Sequence, residues 1–470
     1  MADRRRDTVL INGEWRPTSH THPVENPATE QVIGTAAVAE TEHVQQAVDA
    51  ARRAFPRWSA LPAADRGQYL SRMYDHLLAN RQQVIDTIVA EVGCPVRVTE
   101  SEQVDLALQV LRYYADLAAT LPEGPDSRIG HSLIFREPVG VVGTITPWNY
   151  PLYQLILKAA PALAAGCTVV AKPAELAPLS AYLWTDAAVA AGLPDGVFNL
   201  VPGPGRVVGE AIADHPDVDL VSFTGSTAVG ARVAATAART ITRVALELGG
   251  KSASVLLDDA DLAEAVDTTV TAATLNSGQT CSAWTRLLVP HSSYPEAWEL
   301  ACAAAAKLVV GDPTAPRTDL GPLISRPQLE AVQAMVHRAR DTGARIFQGD
   351  TPDGTGHFHP VTVIGEVSPD AEIVREEVFG PVLVIVPYQD VDDAVRLAND
   401  TRYGLTGAVW GRDTDRALAV ARRLRTGQVD VNGAPFNIEA PFGGYGHSGY
   451  GRELGRFGLE EFTELKAVQV

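Results

Sequence analysis

Only four of the 470 residues are cysteine, and Cys281 stands in Asn276-Ser277-Gly278-Gln279-Thr280-Cys281-Ser282. Small and polar neighbours suit a nucleophile that a substrate must reach. A lone cysteine is equally a small buried hydrophobe, which is how Cys167 and Cys302 read. No histidine lies near Cys281 in sequence, so activation would come from a carboxylate or from backbone dipoles. Glu247 sits in Ala245-Leu246-Glu247-Leu248-Gly249-Gly250-Lys251. A carboxylate among apolar neighbours is expensive to bury; a raised pKa and a general-base role would justify it, and so would an ion pair with Lys251. Asn149 lies in Thr146-Pro147-Trp148-Asn149-Tyr150-Pro151, where the prolines fix the backbone. Its amide is either a pre-aimed donor for a developing oxyanion or a simple turn former.

A second group of segments suits a nucleotide. Phe223-Thr224-Gly225-Ser226-Thr227 has a strand, a tight glycine turn and hydroxyls where a helix begins. That exposes helix N-terminal N–H groups to an anion such as a pyrophosphate, or marks an ordinary capped helix. Lys172-Pro173-Ala174-Glu175 follows a strand and sets a cation and a carboxylate three residues apart, suited to a phosphate and a ribose diol. Glu376-Glu377-Val378-Phe379-Gly380-Pro381 adds a carboxylate beside an aromatic ring. Gly444-x-Gly446-x-x-Gly449 matches the dinucleotide fingerprint only formally, because no strand precedes it and no helix follows. Gly203-x-Gly205 with Gly209 sits between a strand and a helix, but its spacing is off by one.

These residues need elements to hold them. Val9-Leu10-Ile11 before Asn12-Gly13 predicts a hairpin, and Asn26-Pro27-Ala28-Thr29 a turn. Helical periodicity covers 42–55, 63–92, which Gly93 stops, and 96–119. From residue 139 strands (139–145, 167–171, 197–201, 220–223) alternate with helices (180–191, near 207–213, from 228). A second alternating block starts near Ala253, with strands at 287–289, 361–363 and 382–386 and helices from 262 and at 294–308, 326–342 and 391–399. Such alternation predicts doubly wound parallel sheets in two joined α/β domains. The 125–137 segment and the tail, closing in a strand at 468–470, form a small appendage.

Composition narrows the function. Hydrophobic residues make up 46% and charged residues 20%, enough for sizeable cores. A net charge of −18 argues against nucleic acid and anionic membranes as partners. The uncharged run 138–157 holds Pro138, Pro147 and Pro151 and is a poor membrane helix. Cys94, Cys167, Cys281 and Cys302 form no CxxC pair, so neither a disulfide framework nor a metal site is expected, and a reducing cytoplasm fits. The opening Met1 to Asp7 has no apolar run behind it and does not read as a secretory leader. Only Lys158, Lys172, Lys251, Lys307 and Lys466 are lysine, so a lysine within a motif stands out.

Taken together, Asn12-Gly13-Glu14-Trp15, Pro147-Trp148-Asn149, Lys172-Pro173-x-Glu175, Phe223-Thr224-Gly225-Ser226, Glu247-Leu248-Gly249-Gly250-Lys251, Gly278-Gln279-x-Cys281, Glu376-Glu377-x-Phe379-Gly380-Pro381 and Pro441-Phe442-Gly443-Gly444 resemble the aldehyde dehydrogenase superfamily over essentially the whole chain. The resemblance implies Cys281 as nucleophile, Glu247 as general base and Asn149 as oxyanion donor beside the Cys281 backbone N–H. It implies Lys172 and Glu175 at the adenosine ribose, Gly225 and Ser226 at the pyrophosphate, and Glu377 and Phe379 at the nicotinamide ribose and ring. Trp148 and Leu248 complete that cofactor-binding set. It implies a nucleotide-binding domain (1–116 and 139–249), a catalytic domain (250–447) and an oligomerisation element (117–138 and 448–470) in a dimer or tetramer. One departure is Gly446, followed by His447, where many members carry lysine.

The implied reaction is oxidation of an aldehyde to a carboxylic acid by a hydrolytic, NAD(P)-dependent enzyme. The alternatives are a CoA-acylating relative, which would not need Glu247, and a catalytically silent binding protein on the same fold. NAD is expected over NADP, because a 2′-phosphate would meet Glu175, although Lys172 would offset part of that repulsion. The resemblance implies that two loops line the substrate funnel, one with Tyr150, Leu152, Tyr153, Gln154 and Leu157 and another with Pro435, Phe436, Asn437, Ile438 and Phe442, Glu439 being the one charge, and so an apolar pocket with an acidic rim. That pocket suits a neutral aliphatic or aromatic aldehyde.

Overall fold

The computed structural model describes residues 5–470, so the first four residues of the polar opening lie outside it. The chain builds two large sheets. In the first, five parallel strands run in the spatial order Arg243–Glu247, Leu220–Thr224, Val141–Ile145, Thr168–Lys172, Phe198–Leu200. The strand earliest in sequence therefore lies in the middle, and the chain winds outward from it in both directions. Antiparallel edges complete this sheet: Thr8–Ile11 with Glu14–Pro17 on one side, Gly449–Tyr450 on the other. The expected hairpin turn is there, with Asn12 and Gly13 both in the left-handed region.

The second sheet has seven strands in the order Arg345–Gln348, Thr362–Gly365, Val382–Tyr388, Arg286–Pro290, Ala253–Leu256, Gly407–Trp410, Asp430–Val431. All its pairings are parallel except the first. Central strands such as Arg286–Pro290 are buried throughout, which is what parallel strands covered by helices require. Two small sheets stand apart. One joins Arg5–Arg6, Gln31–Ala37 and Thr21–Asn26. The other joins Ser127–Ile129, Ser132–Pro138 and Thr463–Gln469. Gly449–Tyr450 belongs to the first large sheet, not to this appendage, so a boundary at 448 cuts through that sheet's edge pairing.

Several elements differ from expectation. The helix expected over 63–92 is two, Ala63–Ala79 and Arg81–Val92. Asn80 parts them: its Nδ2 donates to the His76 carbonyl at 2.8 Å, offering the backbone an alternative to continued helix. The uncharged run ends inside a helix, Pro151–Ala165, with every residue buried. Pro151 starts it, where its missing N–H costs nothing. Strand Arg243–Glu247, helix Thr414–Ala421 and strand Gly407–Trp410 also have no counterpart in the sequence reading. Among the described residues no helix is long and apolar enough to cross a membrane.

Candidate active site

Two cavities meet at the segment that carries Asn149. A cleft of about 450 Å³ opens at the carboxyl ends of the first sheet's central strands, lined by Ile145 to Trp148 on one side and Phe223, Gly225 and Ser226 on the other. This is the point where strand order reverses, the place where open α/β sheets bind ligands. A second cavity of about 220 Å³ is lined by Tyr150, Tyr153, Gln154, Leu157 and Cys281 together with residues of the second sheet's side. Trp148 faces the first cavity and Tyr150 the second; Asn149 lies between them and is buried.

The loop before Cys281 is shaped by three successive residues with positive φ: Asn276 (51°), Ser277 (58°) and Gly278 (72°). A Cβ on Gly278 would fall 2.1 Å from the Gly380 carbonyl oxygen, so glycine is required there. Ser277 Oγ donates to the Gly321 carbonyl at 2.8 Å, and the Ile324 N–H donates to Gln279 Oε1 at 2.9 Å. Asn149 is locked to this loop from both ends. Its Nδ2 donates to the Gln279 carbonyl at 2.8 Å, and Asn276 Nδ2 donates to the Asn149 carbonyl at 2.9 Å. The Tyr150 and Thr280 hydroxyls share a 2.8 Å hydrogen bond. One amide hydrogen of Asn149 is thus occupied, and its second remains available as a donor.

Cys281 is half-buried and faces the second cavity. Burial, then the carboxylates of Glu247, Glu377 and Glu453, push its thiol up to about 12. Glu247 ends strand Arg243–Glu247 and is only 6% exposed. Neither carboxylate oxygen has a hydrogen-bond partner. Burial first, then the nearby Glu453 charge, raise its pKa well above the ordinary carboxylate range. The ion pair considered with Lys251 does not form. The Lys251 ammonium is also buried without a partner, and burial pulls it down to about 7.

A buried network beside Glu247 is absent from the sequence reading. Lys158 Nζ, fully buried on helix Pro151–Ala165, contacts Glu453 Oε1 at 2.5 Å and donates to Thr224 Oγ1 at 2.6 Å. The signal was there in part: Lys158 is the one charge in an apolar helix of a lysine-poor chain. Its partner lies 295 residues away and could not be named from spacing.

Of the other expected site residues, Trp148, Lys172, Glu175, Gly225 and Ser226 line the nucleotide-sized cleft. Gly205 and Gly209, set aside for their spacing, line it too, with Arg206. The Gly205 N–H donates to Glu175 Oε2 at 3.3 Å. Burial pulls the Lys172 ammonium down to about 8, and Glu175 offsets part of this. Ser226 caps helix Thr227–Ala237, accepting from the Val229 N–H at 3.4 Å. Phe379 has a positive φ of 55° and meets Trp148 edge to face, with ring centroids 5.3 Å apart. Glu377 accepts from the Gly250 N–H at 3.1 Å, and burial lifts it to about 7. Leu248 does not line the cleft; it packs against Gly230, where a Cβ would lie 2.4 Å from Leu248 Cδ2. The formal fingerprint Gly444-x-Gly446-x-x-Gly449 forms no phosphate loop; its middle is a single short turn, Gly446–Ser448.

In the second cavity the expected Tyr150, Tyr153, Gln154, Leu157, Phe436 and Phe442 are present. Leu152, Pro435, Asn437, Ile438 and Glu439 are not among its lining. Its charges are instead Glu102 and Asp430, and Trp284 adds another ring.

The aldehyde dehydrogenase family model matches residues 15–468. A 3-succinoylsemialdehyde-pyridine dehydrogenase from a Pseudomonas species is 46% identical, covering 100% of this chain and 99% of its own length. A geranial dehydrogenase from Castellaniella defragrans is 39% identical, covering 98% of each chain. A crystal structure of aldehyde dehydrogenase C from Pseudomonas syringae, a Cys→Ala mutant with NAD+ and octanal, superposes with a TM-score of 0.96 at 44% identity, covering 98% of this chain and 96% of the other. The chain belongs to the aldehyde dehydrogenase family and is an NAD(P)-dependent enzyme that oxidises an aldehyde.

Proposed function

We propose that oxidation runs through a covalent adduct on Cys281, with Asn149 holding the oxyanion and Glu247 activating the water that releases a carboxylic acid. The observation that carries this reading is the pairing of a thiol facing the apolar cavity with a buried carboxylate that no other group claims. The Cys281 sulfur, its proton lost to solvent, adds as thiolate to the aldehyde carbon. The alkoxide of the thiohemiacetal accepts hydrogen bonds from the free Asn149 amide N–H and the Cys281 backbone N–H, fixed donors that meet the charge as it develops. When bound, the oxidised nicotinamide supplies the acceptor for the hydride that this carbon gives up. Cys281 then holds a thioester, Glu247 removes a proton from water, and hydroxide displaces the sulfur as thiolate. The free Glu247 carboxylate favours this hydrolytic outcome over transfer to CoA.

The cofactor would be held by Lys172 and Glu175 at the adenosine ribose, Gly225 and Ser226 at the pyrophosphate, and Glu377 and Phe379 at the nicotinamide end, with Trp148 and Leu248 behind them. The donor set fits such a group: a desolvated ammonium, a carboxylate for hydroxyls, and a capped helix start all open on one cleft. Glu175 disfavours a 2′-phosphate, so NAD is preferred over NADP. The aliphatic and aromatic lining of the second cavity suits a neutral aliphatic or aromatic aldehyde, consistent with a neighbouring structure holding octanal and with relatives named for geranial and for a pyridine semialdehyde. We assign 1–116 and 139–249 to nucleotide binding, 250–447 to catalysis, and 117–138 with the tail beyond Tyr450 to a dimer or tetramer contact, the strand Gly449–Tyr450 staying with the first sheet, and we place the enzyme in the cytoplasm. Cys281→Ala should lower aldehyde oxidation by at least about a thousandfold while NAD+ still binds, as titration of protein fluorescence would show. Substantial turnover by the pure variant would remove Cys281 from the nucleophile role.

A further inference from the structure

A third cavity, of about 720 Å³, opens at the other end of the first sheet from the cofactor cleft. On its wall Pro194, Asp195 and Val197 lead into the amino end of strand Phe198–Leu200, whereas the cleft lies beyond carboxyl ends. The two cavities share no lining residue. Helix Thr41–Ser59 supplies a second wall with Arg53 and Arg57, one turn apart on one face. Both arginines are exposed, and among the described residues neither guanidinium has a hydrogen-bond or ion-pair partner. Their neighbour Arg52 differs, since it pairs with Asp219 at 2.8 Å. Arg57 complements the dipole in the helix's last turn, but Arg53 lies too far back for that explanation.

The rest of the lining is specific in its chemistry. Tyr69 is half-buried and meets Trp58 edge to face, with ring centroids 5.4 Å apart, and with Leu61 it forms a flat apolar flank. The indole N–H of Trp58, only 1% exposed, has no acceptor. Asp195 is the one carboxylate. Its Oδ1 packs over Gly13, where a Cβ would fall 2.0 Å away, so glycine at the hairpin turn leaves that carboxylate its place. Two planar guanidinium forks one turn apart match the oxygens of a phosphate. A bare anion would also meet Asp195, whereas a ligand with hydroxyl or amino hydrogens gives that carboxylate something to accept. The volume falls within the roughly 300–1,000 Å³ of small-molecule sites. We infer that this cavity is a second nucleotide site, taking a nucleoside 5′-phosphate with its phosphate on Arg53 and Arg57, its ring against Tyr69 and its hydroxyls on Asp195.

Cytidine 5′-monophosphate tests this by calorimetric titration of the enzyme at low salt. Saturating NAD+, which carries no phosphomonoester, keeps the cofactor cleft filled. One nucleotide should bind per chain, and cytidine and inorganic phosphate should each bind at least about tenfold more weakly. Changing both Arg53→Gln and Arg57→Gln should weaken the nucleotide by about tenfold or more. Aldehyde oxidation by that variant should match wild type, because neither arginine touches the active site. Asp195→Asn should narrow the gap between the nucleotide and inorganic phosphate. Absence of nucleotide binding at millimolar concentration in the wild type, which needs no variant to fold, overturns the inference. So does inorganic phosphate binding as tightly as the nucleotide, which leaves an adventitious ion only. Nucleotide affinity unmoved in the folded, active double variant overturns it as well.

Discussion

Burial raises the proton affinity of Cys281 and Glu247 together. The proposed deacylation by Glu247 needs the ionised carboxylate. Turnover should therefore climb with pH, on a limb that lies above the range of an ordinary carboxylate. Glu453 contributes to that elevation as a like charge, and it is tied to Lys158. Glu453→Gln removes a negative charge and leaves the Lys158 ammonium uncompensated. Both changes favour ionised Glu247, so the acid limb of kcat should move to lower pH. The kcat profile from acid to neutral pH checks this; a loss of stability with an unmoved limb would make Glu453 purely structural. At this scale the sequence proposes Cys281, Glu247 and Asn149 only as a set, because each short context alone also fits a structural role. Lys158 with Glu453, and Glu102 with Asp430, were not legible, because each pair is assembled from distant segments.

The elements explain how such a site is held without strain spreading through the fold. The turn 276–278 is left-handed at three successive residues, and only the last is glycine. Its two neighbours are restrained by side-chain bonds, Asn276 to the Asn149 carbonyl and Ser277 to the Gly321 carbonyl. Gly278→Ala adds a Cβ both in the disfavoured region and against the Gly380 carbonyl oxygen. It should cost at least about 2 kcal/mol, read as a lower denaturation midpoint, and should lower kcat through displacement of Cys281. Unchanged stability and kcat would show that the turn is not the support proposed here. The alternating elements were readable by period. The helix Pro151–Ala165 escaped because its prolines and all-round apolarity hide any face, and the break at Asn80 because one side-chain bond decided it. Strand Arg243–Glu247 escaped because only its last two residues are fully buried, so no alternation marks it.

The whole molecule brings the reaction together from two halves. Glu247 and Asn149 belong to the first sheet, one at a strand end and one beyond a strand end. Cys281 leads into the strand Arg286–Pro290 of the second sheet. Neither half holds both the proposed nucleophile and the proposed base, and Asn149 stands in the chain between Trp148 on the proposed cofactor cleft and Tyr150 on the proposed aldehyde cavity. The division of labour across this junction is the central claim, and Glu247→Gln tests it most directly. Rapid mixing of that variant with hexanal and NAD+ should release a burst of NADH matching the enzyme sites. Steady turnover should then be slower than wild type by about a hundredfold or more, with the acyl group recoverable on Cys281. Steady turnover at the wild-type rate, or a slow reaction with no acyl group on Cys281, would contradict the account.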